Sequence, residues 1–474
     1  MITTADISLL LPLIIVGVAA IIVMLSVAIK RNYLFVNLVT LIAFLAAFLS
    51  TVLISSDKSA VGVLFVIDGF GRFFMALILA AGFVITLISY SYLKKQETTR
   101  EEYFILMLIA TLGSIAMVIS NHFISFFLSL ELLSISLYAL IAYLKKQETA
   151  IEAGIKYLVL AAVSTAFLLF GVALIYAHTG KLDFSFASMD LGAAQTPDIL
   201  FLAGLALVIV GIGFKLGIVP FHLWAPDVYA GSPPPVAAFV STVSKGSIVA
   251  FLFRLFFEME GFKNHSIFIA FSVIAIASMF IGNWLALREQ SVKKILAYSS
   301  IAHLGYVLVA FLSASVLGMQ AAAFYLTSYF IIMIGSFGAV AILSGEKNGA
   351  ETVEDYKGLY QQKPWFAVYF TVMLLALAGV PLTSGFIADF YLLQAGAGSE
   401  IWLLMFCLVV SAVIGLFYYL RVAMALFSKK EKTIPFYERL SAPTWIALAF
   451  LLVLLVWIGV YPATLLHIIH GMMM

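Results

Sequence analysis

One cysteine, Cys407, is all that the 474-residue chain contains, and it lies inside an apolar run. This excludes an internal disulfide, and also an iron–sulfur cluster ligated by this chain alone, which needs about four thiolates. Charge is scarce as well. Charged residues make up 11% of the sequence and hydrophobic ones 64%, where soluble domains hold roughly 25% and 45–50%. With a mean hydropathy of +1.13, a soluble fold is excluded. No GxGxxG follows a strand pattern, and there is no glycine-rich phosphate loop with its lysine. Any redox or nucleotide chemistry coupled to this protein therefore resides in another subunit. His222, Asp227 and His303 lack the i, i+3 or i, i+4 spacing of a metal site. The net charge of +2 leaves no basic footprint for nucleic acid, and the expected surroundings are lipid.

What the sequence does have is apolar runs. They fall at about 8–29, 34–54, 71–93, 103–120, 122–143, 151–177, 198–219, 234–258, 266–287, 294–313, 318–344, 365–395, 400–427 and 443–468. Each is long enough for a spanning helix, which needs roughly 20 residues. They are about twice the length of a barrel strand and lack period-two alternation, so helices are expected rather than strands. The first run, near Leu9, is too long to be a removed signal peptide and has no small-residue cleavage site behind it. The expected fold is all-α, a polytopic membrane protein of about fourteen transmembrane helices.

Lysine and arginine set the orientation. Loops after odd-numbered helices hold Lys30, Arg31, Lys94, Lys95, Arg100, Lys145, Lys146, Arg288, Lys293, Lys294, Lys347, Lys357, Lys363, Lys429, Lys430, Lys432 and Arg439. Loops after even-numbered helices hold Lys58, Arg72, Lys181 and Lys263. Seventeen against four assigns the odd loops to the cytoplasm and both termini to the opposite side. The loop at 346–363 mixes both charge signs and reads as a solvated connector with a docking role open to it.

Seven charges remain inside apolar runs: Lys156, Lys215, Lys245, Arg254, Arg421, Glu131 and Asp389. Each costs on the order of 3 kcal/mol on insertion scales, so their presence asks for a reason. Arg254 and Arg421 lie near helix ends and read as snorkelling or structural. Glu131, Lys156, Lys215, Lys245 and Asp389 sit deeper, where a functional role is expected.

The chain also reads as duplicated. Pro220 in KLGIVPFHLW and Pro381 in LAGVPLTSGF are 161 positions apart (381 − 220), each within a long apolar run. Helix starts near 103 and 266 show a similar offset. Helices 4 to 8 and 9 to 13 are thus expected to be two five-helix repeats, inverted in the membrane because five is odd, each with a broken helix. The resulting division is 1–102 for helices 1 to 3, 103–258 and 259–428 for the repeats, and 429–474 for helix 14. Against this stands the plain frequency of proline in spanning helices.

A proton route needs groups that hold and release protons at spacings water can bridge. Burial disfavours the charged form of a lysine and a nearby carboxylate opposes this, so Glu131 and Lys215 are candidates for a coupled pair across two helices. Pro220 frees backbone carbonyls that survive at depth only beside a cavity or inside protein. His222 and His303 extend the candidate route, since imidazole titrates near neutral pH, although each reads equally well as a hydrogen-bonded packing residue.

The segments LELLSISLYAL, GIGFKLGIVPFHLWAPDVYAGSPPPVAAFVSTVSK, YSSIAHLGY, LAGVPLTSGFIADFYLL and FYYLRV together resemble the antiporter-like membrane subunits of respiratory complex I. The resemblance runs in order from helix 4 to helix 13. The length, and the end after helix 14 without a long lateral helix, resemble the N-type rather than the L-type branch. It implies a fourteen-helix fold acting as one proton channel of a redox-driven pump in the inner membrane. Glu131 would match the helix 5 glutamate, Lys156 the helix 6 lysine, Lys215 the broken-helix lysine and Lys245 the central lysine; His222 and His303 also fall on family positions. In that picture protons enter from the cytoplasm toward Lys215, pass by water to Lys245 and move on toward helix 12. No cofactor is implied in this chain, while flavin, iron–sulfur clusters and quinone are implied in partner subunits. The expected neighbours are another antiporter-like subunit and small membrane subunits. Where the family usually carries a helix 12 lysine, this sequence has Asp389, whose charge attracts Lys245 where a lysine would repel it. The competing reading is a subunit of an Mrp-type cation/proton antiporter, which shares the fold and the Glu and Lys set.

Overall fold

The structure is a computed structural model that describes residues 4–53, 58–94, 100–184, 198–258, 264–344, 351–429 and 442–473. Lys95, Lys263, Lys347, Lys430, Lys432 and Arg439 lie outside the described residues. Helices account for nearly all of it: α1 (Leu11–Ile29), α2 (Tyr33–Leu53), α3 (Gly69–Lys94), α4 (Glu102–Val118), α5 (Phe123–Ile141), α6 (Glu148–Thr179), α7 (Ile199–Leu216), α8 (Trp224–Gly231), α9 (Pro234–Glu258), α10 (His265–Arg288), α11 (Val292–Leu312), α12 (Val316–Leu343), α13 (Pro364–Leu377), α14 (Ser384–Gly398), α15 (Trp402–Phe427), α16 (Ala442–Val460) and α17 (Ala463–Met473). Among the described residues, twelve helices are long and apolar enough to cross a membrane. The protein is a multi-pass, nearly all-helical membrane protein, as its apolar runs lead one to expect. The run at 103–120 becomes the 17-residue α4, the run at 365–395 becomes the pair α13 and α14, and the run at 443–468 is divided near Pro462 into α16 and α17. The apolar runs give no hint of a small antiparallel hairpin, β1 (Ser59–Val61) with β2 (Phe65–Ile67), between α2 and α3.

Burial sorts the helices into a centre and a periphery. The apolar stretches of α9, α11 and α12 are 100%, 94% and 89% buried, against 28% for α1 and 33% for α10. A helix that is apolar on all sides and buried belongs to the middle of the bundle, and these three form its axis. Around them α4 packs on α5, α6 on α7, and α10 on α11. Close approach there uses small residues: a Cβ on Gly171 or Gly204 would fall within 2.6 or 2.8 Å of the facing backbone carbonyl, as is usual where lipid-embedded helices meet.

The two arginines near helix ends are structural. Arg254 is buried on α9 and grips Asp68 with both terminal nitrogens, at 2.9 and 2.8 Å, while its Nε donates to the Val118 carbonyl at 3.0 Å. Arg421 on α15 donates to the carbonyls of Leu287 and Glu289 at 2.8 and 2.6 Å, closing the end of α10.

Candidate functional site

Two spanning helices are interrupted, and both interruptions are built alike. At the first, α7 ends on Gly217 in the left-handed region (φ 70), where the Gly217 and Ile218 amides both donate to the Gly213 carbonyl, at 3.0 and 3.1 Å. At the second, α13 is followed by Gly379 (φ 68), whose amide donates to Ala376 at 3.2 Å while Val380 donates to Leu375 at 3.1 Å. A glycine in this conformation, with the next amide reaching five residues back, is how a helix stops without leaving its last carbonyls bare. Pro220 and Pro381 then forbid its resumption. The remaining backbone groups find side chains: Trp224 Nε1 donates to Phe214 O (2.8 Å), Val219 N to Ser278 Oγ (3.0 Å), and Thr383 Oγ1 to Val380 O (2.7 Å). Irregular backbone at membrane depth is thereby satisfied within protein.

Lys215 lies in the last turn of α7, 2% exposed, and its Nζ donates to Ser134 Oγ on α5 at 2.8 Å. Glu131 is one turn away on the same helix, half-buried, and accepts from Thr165 Oγ1 of α6 at 3.0 Å. Glu131 and Lys215, candidates for a coupled pair across two helices, thus meet through the same turn of α5, where the lysine donates to Ser134 and the glutamate accepts from Thr165. His222 is buried between α7 and α8, and its Nδ1 has no hydrogen-bond partner among the described residues. Lys156 is not deep. Its side chain is 44% exposed, two turns into α6, and pairs with Glu152 at 2.7 Å and Asp227 at 3.0 Å. It belongs to a surface ion cluster rather than to the buried line.

Lys245 is 1% exposed at the centre of the bundle. One π turn, Val240–Ser244, precedes it within α9. The extra residue rotates the remainder of the helix by roughly 100° about its axis and leaves Nζ donating to Ser300 Oγ of α11 at 2.8 Å, over the ring of Tyr229 at 5.3 Å. Ser300 and His303 share a face of α11 at i, i+3. Both ring nitrogens of His303 are engaged, Nδ1 with the Tyr325 hydroxyl at 2.5 Å and Nε2 with that of Tyr419 at 3.0 Å. Beyond it, a cavity of about 10 Å³ is lined by His303, Tyr325, Ser328, Tyr329 and Asp389, room for one water. His303 and Asp389 therefore line the same small cavity. The Asp389 Oδ2 leans on the second break: a Cβ on Gly379 would lie 2.7 Å from it.

Four kinds of group escape a reading of the sequence. Ser134 and Ser300 are ordinary in composition, yet Ser134 follows Glu131 and Ser300 precedes His303 by one helical turn, and that spacing is the available signal. Tyr229, Tyr325 and Tyr419 come from other helices, with no pattern to announce them. The π turn leaves no mark in composition. Lys293, which the sequence places with the loop lysines, lies within α11 and donates from Nζ to the Ala230 and Ser232 carbonyls at 2.9 and 3.4 Å.

Two interrupted helices beside buried lysines, hydroxyls and a carboxylate are the kind of arrangement found in membrane proteins that pass ions through their interior. The chain belongs to the NADH:quinone oxidoreductase/Mrp antiporter transmembrane family, which matches residues 120–415, and it is an antiporter-like, proton-translocating membrane subunit. It is similar to a chain of respiratory complex I from Thermus thermophilus, at 30% identity and TM-score 0.81, covering 96% of this chain and 98% of that one. The same fold occurs in a chain of an archaeal membrane-bound sulfane sulfur reductase (24% identity, TM-score 0.85, 98% and 96% covered). It occurs again in a chain of the Mrp complex from Dietzia sp. (20% identity, TM-score 0.87, 99% and 97% covered).

Proposed function

We propose that the chain is a membrane-arm subunit of an NADH:quinone oxidoreductase of the complex I type, of the N-type branch, moving protons from the cytoplasm to the opposite side of the inner membrane. Redox chemistry in partner subunits, which carry the flavin, iron–sulfur clusters and quinone, drives it. Residues 103–258 and 259–428 act as inverted repeats, and both termini lie on the non-cytoplasmic side. The placement of Lys245 on Ser300, one turn of α11 before His303, with His303 and Asp389 lining one small cavity, carries the reading. In it, Lys245 takes a proton arriving from the first repeat, where Glu131, Lys215 and Ser134 set its electrostatic surroundings. His303 accepts a proton on Nε2 from the Tyr419 hydroxyl, which is itself reprotonated by water, and gives one up from Nδ1 to Tyr325, whose hydroxyl releases its own proton to the cavity it lines. Asp389 receives it through water there, and protonation lifts its attraction for Lys245, resetting the pair.

The second reading, an Mrp-type antiporter subunit, is favoured by the 0.87 TM-score to the Mrp complex, which speaks for fold. One experiment separates the two. The chain, purified with its native neighbours, is assayed for flavin and iron–sulfur spectra, NADH oxidation by quinone, and acidification in proteoliposomes. Donor-driven, sodium-independent acidification is the expected result. Cation/proton exchange without any redox centre would overturn the proposal.

A further inference from the structure

The lysine-rich end of the bundle holds a cavity of about 250 Å³ between the start of α6, the end of α8 and the start of α11. A water needs roughly 10–15 Å³ of such space, so it accommodates many. Its wall carries Glu152, Lys156, Asp227, Lys293, Lys294 and Glu351. Five of these are satisfied or solvated in the usual way. Asp227 takes Lys156 at 3.0 Å with Lys294 at 3.9 Å, Glu152 takes Lys156 at 2.7 Å, and Glu351 faces the same space.

Lys293 is different. Its ammonium bypasses the carboxylates and is spent on the backbone carbonyls of Ala230 and Ser232. These close the C-terminal end of α8, where unpaired carbonyls concentrate partial negative charge. The ends of interrupted helices are places where membrane proteins hold cations, and here a tethered cation fills that place. Next to Ala230 in the chain is Tyr229, whose buried ring lies under Lys245 Nζ at 5.3 Å. Along α11, Lys293 and Ser300 are seven residues apart on one face, about 10 Å, and Ser300 is the acceptor of Lys245. Nothing on this path involves Lys215.

We infer that this cavity is a proton-uptake vestibule opening directly onto Lys245, and that Lys293 is its gate. Anchored on the α8 carbonyls, the ammonium seals the vestibule from Tyr229 and Ser300. Swung toward Glu351, it lets water connect them. The inference rests on the proton-translocating reading, and the test is built so that the two fail separately.

The assembled complex is studied with thiol reagents applied from the lysine-rich face, this chain's peptides being read by mass spectrometry. Ala297→Cys, between Lys293 and Ser300, reports on the seal. With Lys293→Met its modification by a small methanethiosulfonate is expected to quicken about tenfold, the population change that losing a charge-assisted hydrogen bond brings, while Lys293→Arg keeps the slow rate. Equal rates in all three backgrounds would remove Lys293 as a gate, and Tyr229→Cys gives the same readout should Ala297→Cys fail to assemble. In the second arm, Thr149→Cys on the vestibule rim is blocked with a bulky impermeant maleimide. Acidification per electron is expected to fall at least severalfold; unchanged acidification would reject the vestibule. A complex that reduces quinone but pumps nothing before modification would sink the translocating reading and leave the accessibility result standing.

Discussion

At the scale of single residues, Lys245 is the group on which the most rests. Its charge is buried with one hydroxyl and one aromatic face for company, a poor exchange for water unless the proton itself is the point. Lys245→Met keeps the volume and removes the charge, so the fold is expected to hold while proton translocation drops about a hundredfold, the usual scale for a lost acid–base group. Thermal unfolding and acidification in reconstituted vesicles check both halves. Asp389→Asn, which keeps size but holds no exchangeable carboxyl proton, is expected to impair pumping and leave quinone reduction and assembly in place; full pumping would end a protonic role for Asp389. Much of this was legible in the sequence, because a charge in an apolar run needs no alignment to stand out. Depth was not. Lys156 counts as deep by its position in a run, but α6 begins at Glu148, only about 12 Å below it at 1.5 Å per residue, and Asp227 arrives from another helix to meet it. Nor does sequence say that Ser134, rather than Glu131, receives Lys215.

Elements show the same division. Pro220 and Pro381 mark both breaks, yet the stops themselves are made by Gly217 and Gly379, whose left-handed backbone only the folded chain reveals. Nothing in the composition of Val240–Ser244 signals a π turn, and the three-residue strands of the hairpin are too short for any periodicity to register. The hairpin nonetheless has a structural task. It delivers Asp68 to Arg254, joining the start of α3 to α9 and, through Val118, to the end of α4. Asp68→Ala would leave a guanidinium buried with one carbonyl, at a cost of about 3 kcal/mol. The expected signs are a lower unfolding temperature and poor recovery of the complex, with Arg254→Met in the same chain restoring much of both.

For the whole molecule, the issue is whether the two interrupted units work in series or side by side. α11 lies in the chain between the two breaks and carries Ser300 beneath Lys245 and His303 beside the cavity that Asp389 lines. One helix thus supplies both contacts; the Ser300 hydroxyl donates to Ala297 O and His303 is bonded to Tyr325 and Tyr419, so water must complete a route from Lys245 to Asp389. A serial route makes a quantitative demand. If every proton that reaches Asp389 has passed Lys245, removing either group stops the same flow, and removing both does no further harm. Parallel routes would instead multiply the two losses, as independent sites do. Lys245→Met combined with Asp389→Asn is therefore expected to pump no less than the weaker single variant, with acidification per electron measured on the same vesicle preparations. A double variant whose defect equals the product of the singles would mean that the two halves carry protons independently, and that the His303 cluster joins them mechanically rather than chemically.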